Sequence, residues 1–117
     1  MSTRIFDRGD IIRINLNPTV GKEIQGNYRP ALVLSSKVFH CLGFAMVAPI
    51  TQGNADLARN NGFAVSLLGT PCETQGIVLG HQVRIVDFKE RSAQKIETAP
   101  TYIVEEVQDI VDSILHD

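Results

Sequence analysis

The feature that most constrains this chain is a change of hydrophobic period at Pro100. Beyond it, Ile103, Val104, Val107, Ile110, Val111, Ile114 and Leu115 recur at three- and four-residue steps, while Glu105, Glu106, Asp109 and Asp112 fall on the other side. That spacing predicts an amphipathic helix with one apolar stripe. Pro100 suits its first turn, where a missing N–H costs nothing.

Everything before Pro100 reads as short strands separated by turns. In IIRINL (11–16), Ile12, Ile14 and Leu16 alternate with Arg13 and Asn15, the period of a half-buried strand. ALVLSS (31–36) is a continuous apolar run suited to a central strand covered on both faces. KVFHCLG is a turn or short helical segment ending at Gly43. FAMVAPI (44–50) and GFAVSLL (62–68) read as the third and fourth strands. LGTPCETQG, with Pro71 and two glycines, reads as loop. GIVLG and VRIVDF supply one long bent strand or two short ones, with Gly80 at the bend. Short strands followed by one helix predict a mainly β fold, a small, partly open β-barrel with a C-terminal helix.

At 117 residues, one domain spanning 1–117 is expected. No apolar run approaches the roughly 18 residues of a membrane span, and MSTRIFDRGD lacks the apolar stretch of a secretory signal. The expected setting is cytoplasmic, without a membrane partner. Cys41 and Cys72 form no CxxC, and His40, His81 and His116 are scattered. Neither a disulfide, a metal site nor a cofactor is expected. The net charge of −2 is unevenly spread. Residues 1–60 hold seven Lys/Arg against four Asp/Glu, and residues 61–117 hold four against nine. A basic face on the N-terminal half is one reading, an ordinary solvated surface the other.

Because the strands are committed to the core, chemistry falls to the loops 17–30, 51–61 and 69–76. GKEIQGNYRP (21–30) sets Lys22, Glu23 and Arg29 among two glycines. Pro30 pushes Arg29 to an extended conformation at the start of a strand, which gives its planar fork a rigid base for phosphate. A surface Arg29–Glu23 ion pair, worth about 0–1 kcal/mol, explains the same residues without a function. Thr51 ends a strand, where a hydroxyl binds a phosphate oxygen or closes an ST-turn. Asn54, Arg59, Asn60 and Asn61 either contact nucleobase edges or solvate the loop. His81 has an imidazole suited to proton transfer at neutral pH, with a structural role as the alternative. Gln82 and Arg84 add polar capacity beside it. Together these residues point to phosphate and RNA, although other anions fit.

The ordered blocks GDIIRINLNPTVGKEIQGNYRPALVLS, VAPITQG, GFAVSL and GIVLGHQVRIVD resemble the MazF/PemK family of toxin endoribonucleases, nearest its PemK/ChpB-like branch. The resemblance runs from about Gly9 to the final helix. It implies an SH3-like barrel of the PemK/CcdB kind that forms a homodimer. It also implies metal-independent cleavage of single-stranded RNA, by 2′-OH attack giving 2′,3′-cyclic phosphate and 5′-OH ends. A cognate antitoxin would neutralise the toxin, and operator DNA would be reached only through that antitoxin. By position, the family's loop glutamate matches Glu23, its arginine before proline matches Arg29, and its P-I-T threonine matches Thr51. Lys22, Gln25, Tyr28, Gln52, Asn54, Arg59, Gln82 and Arg84 are the candidate RNA contacts. Three departures stand out: Ile24 follows Glu23 in place of Gln, Gln52 replaces Ser, and His81 and Leu79 replace an Asp and an Arg. An Asp/Arg mechanism at that strand therefore does not transfer, and His81 is the candidate for its proton-transfer role. The competing functions are a catalytically silent module binding antitoxin or operator DNA, and a gyrase poison on the same barrel.

Overall fold

A computed structural model describes residues 5–16, 28–53 and 61–116. Its elements in chain order are β1 (Asp10–Asn15), β2 (Tyr28–Val33), α1 (Lys37–His40), β3 (Phe44–Thr51), β4 (Ala64–Ser66), β5 (Ile77–Leu79), β6 (Arg84–Asp87), β7 (Gln94–Thr98) and α2 (Thr101–His116). The seven strands pair antiparallel into one open sheet in the order β4-β5-β3-β2-β1-β7, with β6 also paired to β3.

Strand alternation sorts the apolar residues into two cores. Ile12, Ile14, Leu16, Ala31, Val33, Ala45, Val47 and Val86 pack with Phe6 and Phe88 on one face. Ile11, Leu32, Leu34, Ala48, Ile50 and Val78 pack on the other face, beneath Ile103, Val104 and Val107 of α2. The continuous run at 31–34 divides evenly between the two, as a strand covered on both faces must.

Two proline positions explain how the central strands separate. Leu34 N–H donates to Met46 O, which sets the phase of the β2–β3 ladder. The hydrogen-bonded pairs then fall at 34/46 and 32/48, and the next would require an N–H from Pro30. It has none, and the ladder stops at Ala31–Pro49. Pro49 sits where β3 changes partner on its other edge, from β6 over residues 44–47 to β5 over 50–51. A proline is tolerated there because no ladder donor is needed.

The helix covers the sheet with its first three turns. Ile103, Val104 and Val107 are buried, Ile110 and Val111 are half-buried, and Ile114 and Leu115 stand in solvent. The predicted apolar stripe is thus longer than the surface it covers. Gly80 falls in the turn between β5 and β6, which are two strands, and a Cβ there would lie 2.8 Å from Ile110 Cγ2. Its role is close approach of the helix. GFAVSLL contributes only three strand residues.

Sequence reading missed β7. Four of its five residues are exposed, and QKIET has no apolar alternation to display. Its partner is β1, with a register shift between Ile11 and Ile12.

Among the described residues, no helix is long and apolar enough to cross a membrane.

Candidate functional site

The site forms where the β2–β3 ladder ends. Arg29 on β2 pairs with Ile14 of β1. Thr51, the last residue of β3, pairs with Ile77 of β5, which pairs with Ser66 of β4. Continuing the β2–β3 register by two residues sets Arg29 opposite Thr51, across the gap that Pro30 opens. Ser66, Ile77, Thr51, Arg29 and Ile14 therefore form a row across five strands on one face of the sheet.

A concavity of about 270 Å³ runs along the β4–β5–β3 part of this row, lined by Thr51, Gln52, Ser66, Leu68, Gln75, Gly76 and Ile77. Gly76 has φ of 129°, and a Cβ on it would come within 2.5 Å of Thr51 O. Any side chain at 76 would push the 69–76 loop off the strand end.

Both sequence readings of Thr51 meet in its geometry. Its Oγ1 accepts the Gly53 N–H at 3.0 Å, an ST-turn. The residue is 9% exposed, so its hydroxyl is held at the strand end while the hydroxyl proton remains able to donate. Arg29 is half-buried at the base and has no hydrogen-bond or ion-pair partner among the described residues. Its sequence-predicted partner Glu23, with Lys22, Gln25, Asn54 and Arg59, lies outside the described residues.

The remaining candidates divide. Tyr28 is exposed beside Arg29, with the Arg13 guanidinium 5.8 Å from its ring centroid. That contact lies on the opposite face of the sheet from Arg29, since neighbouring strand residues alternate. Gln52 is exposed on the lining of the concavity. Arg84 sits on β6 opposite Val47 and donates from Nη1 to Leu16 O at 3.1 Å. It thereby anchors the backbone at the point where the 17–27 segment begins. Arg91, which sequence reading passed over, does the same through Nη1 to Asn15 O at 3.0 Å.

His81 is exposed in the turn after β5, and the Gln82 amide donates to its Nε2 at 3.3 Å. Ile77, the partner of Thr51, lies at the other end of β5. No hydrogen bond among the described residues joins His81 to Arg29 or Thr51. The buried histidine is instead His40, 1% exposed, whose Nδ1 meets Phe6 O and whose Nε2 meets Ser35 Oγ. Its ring packs edge-on to Phe88. These contacts bind the N-terminal segment to α1 and make His40 a structural residue. Among the described residues, no three His, Cys, Asp or Glu side chains gather as metal ligands.

The register sets a guanidinium opposite a strand-end hydroxyl, with the concavity beside the hydroxyl, an arrangement suited to holding a phosphodiester. Comparison with known proteins gives this geometry a context. Endoribonuclease toxin ChpB of Escherichia coli K12 is 46% identical over 101 residues, covering 86% of each chain. The crystal structure of MazF (Form-I) from Deinococcus radiodurans superposes with a TM-score of 0.85 at 29% identity, covering 98% of this chain and 100% of that one. The MazE-MazF (Form-II) structure from the same organism gives a TM-score of 0.80 at 30% identity, covering 97% of each. The family model described as PemK-like, MazF-like toxin of type II toxin-antitoxin system matches residues 7–115, and to that family this chain belongs.

Proposed function

We propose that this chain is an endoribonuclease toxin that cleaves single-stranded RNA at the Arg29–Thr51 gap. The observation that carries the reading is the row Ser66–Ile77–Thr51–Arg29, opened by Pro30 and bordered by a concavity. The relatives named as endoribonuclease toxins support the same reaction class.

The reaction is attack of a ribose 2′-OH on the adjacent phosphorus, leaving a 2′,3′-cyclic phosphate and expelling the 5′-oxygen as a hydroxyl. Negative charge builds on the phosphoryl oxygens, and fixed donors aimed at it lower the barrier. Arg29 supplies permanent positive charge and a planar pair of N–H donors. Thr51 donates its hydroxyl proton to a phosphoryl oxygen while its lone pair stays on the Gly53 N–H. A guanidinium, with a pKa above about 12, stabilises charge in preference to giving up its proton. Proton transfer falls to Glu23 and His81. His81 is exposed and outside both cores, so its imidazole is open to a substrate. Gln52, and the loop residues Lys22, Gln25, Asn54 and Arg59, contact the RNA, with Tyr28, Gln82 and Arg84 at its margins. Bases splayed from a single strand suit such a rim.

The working form is a cytoplasmic homodimer neutralised by a cognate antitoxin that covers the same surface; the MazE-MazF structure of the Deinococcus radiodurans relative supports an antitoxin partner. Expression in a bacterium tests the reading. Wild type should arrest growth and Arg29→Ala should not. Growth arrest by both, or by neither, contradicts nuclease action through Arg29.

A further inference from the structure

We propose that Glu97 is a positioning residue for RNA cleavage, closing the barrel onto the 69–76 loop and so holding Gln75 and Gly76 against Thr51. The proposal rests on the Arg29–Thr51 reading of the site.

In the strand order, β7 stands at one end and the β4–β5 pair at the other. Among the described residues, no ladder joins these ends. The Glu97 carboxylate bridges them instead. One oxygen accepts the Glu73 N–H at 3.1 Å. The other accepts the Thr74 N–H at 2.7 Å and the Thr74 hydroxyl. Three donors on one carboxylate make a charge-assisted clamp across the opening of the barrel.

The clamped loop leads directly into the site. Cys72 is buried in the core under α2, which fixes the loop before the clamp, and Gly76 lies on Thr51 O after it. Leu67 N–H also donates to Gly76 O. Gln75 and Gly76, one and two residues past Thr74, form the wall of the concavity next to Thr51. A loop pinned on both sides of a two-residue stretch has little freedom there. Releasing the Glu97 end lets that wall move, and small misplacements of a reacting group are costly in rate. Both Glu97 oxygens are engaged by the loop, so Glu97 acts through Gln75 and Gly76 and not on RNA itself.

The test compares full-length wild type, Glu97→Gln, Thr74→Val and Arg29→Ala on a fluorogenic single-stranded RNA. Hydrogen exchange of the segment 73–79 and thermal midpoints are measured alongside. Glu97→Gln and Thr74→Val should remain folded, exchange faster at Gln75–Ile77, and lose on the order of tenfold in kcat/KM. Arg29→Ala should be inactive with wild-type exchange in that loop. Wild-type kcat/KM in Glu97→Gln and Thr74→Val beside an inactive Arg29→Ala overturns the clamp. So does lost activity with unchanged exchange. Should Glu97→Gln fail to fold, Thr74→Val, which keeps both backbone bonds to the carboxylate, decides alone. A fully active Arg29→Ala defeats the site reading itself, whatever Glu97 does.

Discussion

In the proposed reaction, Thr51 and Arg29 divide the work by what each can donate. The Thr51 hydroxyl accepts from Gly53 and keeps one proton for the substrate, so removing it takes away the ST-turn acceptor and the substrate donor together. Thr51→Val, which keeps the shape, should lower kcat by about 10²-fold, while Thr51→Ser retains most activity. Equal rates for valine and wild type would leave the hydroxyl without a role. For His81 the exposed position makes a sharp contrast available. His81→Ala should leave the thermal midpoint unchanged and lower cleavage. A variant that cleaves at the wild-type rate removes His81 from the mechanism. Sequence spacing alone made Arg29 one half of a surface ion pair. It could not show that Pro30 ends a ladder just before Arg29 comes opposite Thr51, because that depends on the phase of a pairing between distant segments.

At the scale of elements, two glycines and one carboxylate hold the site's surroundings. Gly80→Ala drives a methyl against Ile110 of α2; it should cost about 1–3 kcal/mol, read from denaturant unfolding. The Glu97 clamp also has a pH signature. Burial raises its carboxyl pKa, but the hydrogen bonds from Thr74 and Glu73 outweigh burial and hold it below the ordinary 4.5. Its contribution to stability is therefore complete above the unfolded value and lost as pH falls through the lower folded one. Thermal midpoints of wild type and Glu97→Gln should converge as pH drops below about 4.5 and separate above it. A gap that does not change with pH would mean the charge is not what matters. Elements with a periodic apolar pattern, such as 11–16 and α2, or a continuous apolar run, such as 31–34, were legible in the sequence. β7 was not, because an edge strand that buries little carries no pattern, and its part in the site comes through Glu97 alone.

At the scale of the molecule, one sheet of the described residues presents two buried faces and opens where the β2 and β3 ends separate around Arg29 and Thr51. The cores explain the fold; the break explains why the proposed chemistry belongs at the ends of those two strands. The most direct test of that account uses a short RNA of a sequence the protein cuts, together with the same RNA carrying one 2′-deoxynucleotide on the 5′ side of the scissile phosphate. The account predicts a 2′,3′-cyclic phosphate and a 5′-OH from the all-ribose strand, no cleavage of the deoxy strand, and no cleavage of either by Arg29→Ala. Cleavage of the deoxy strand at the same bond, or a 5′-phosphate product, would contradict it.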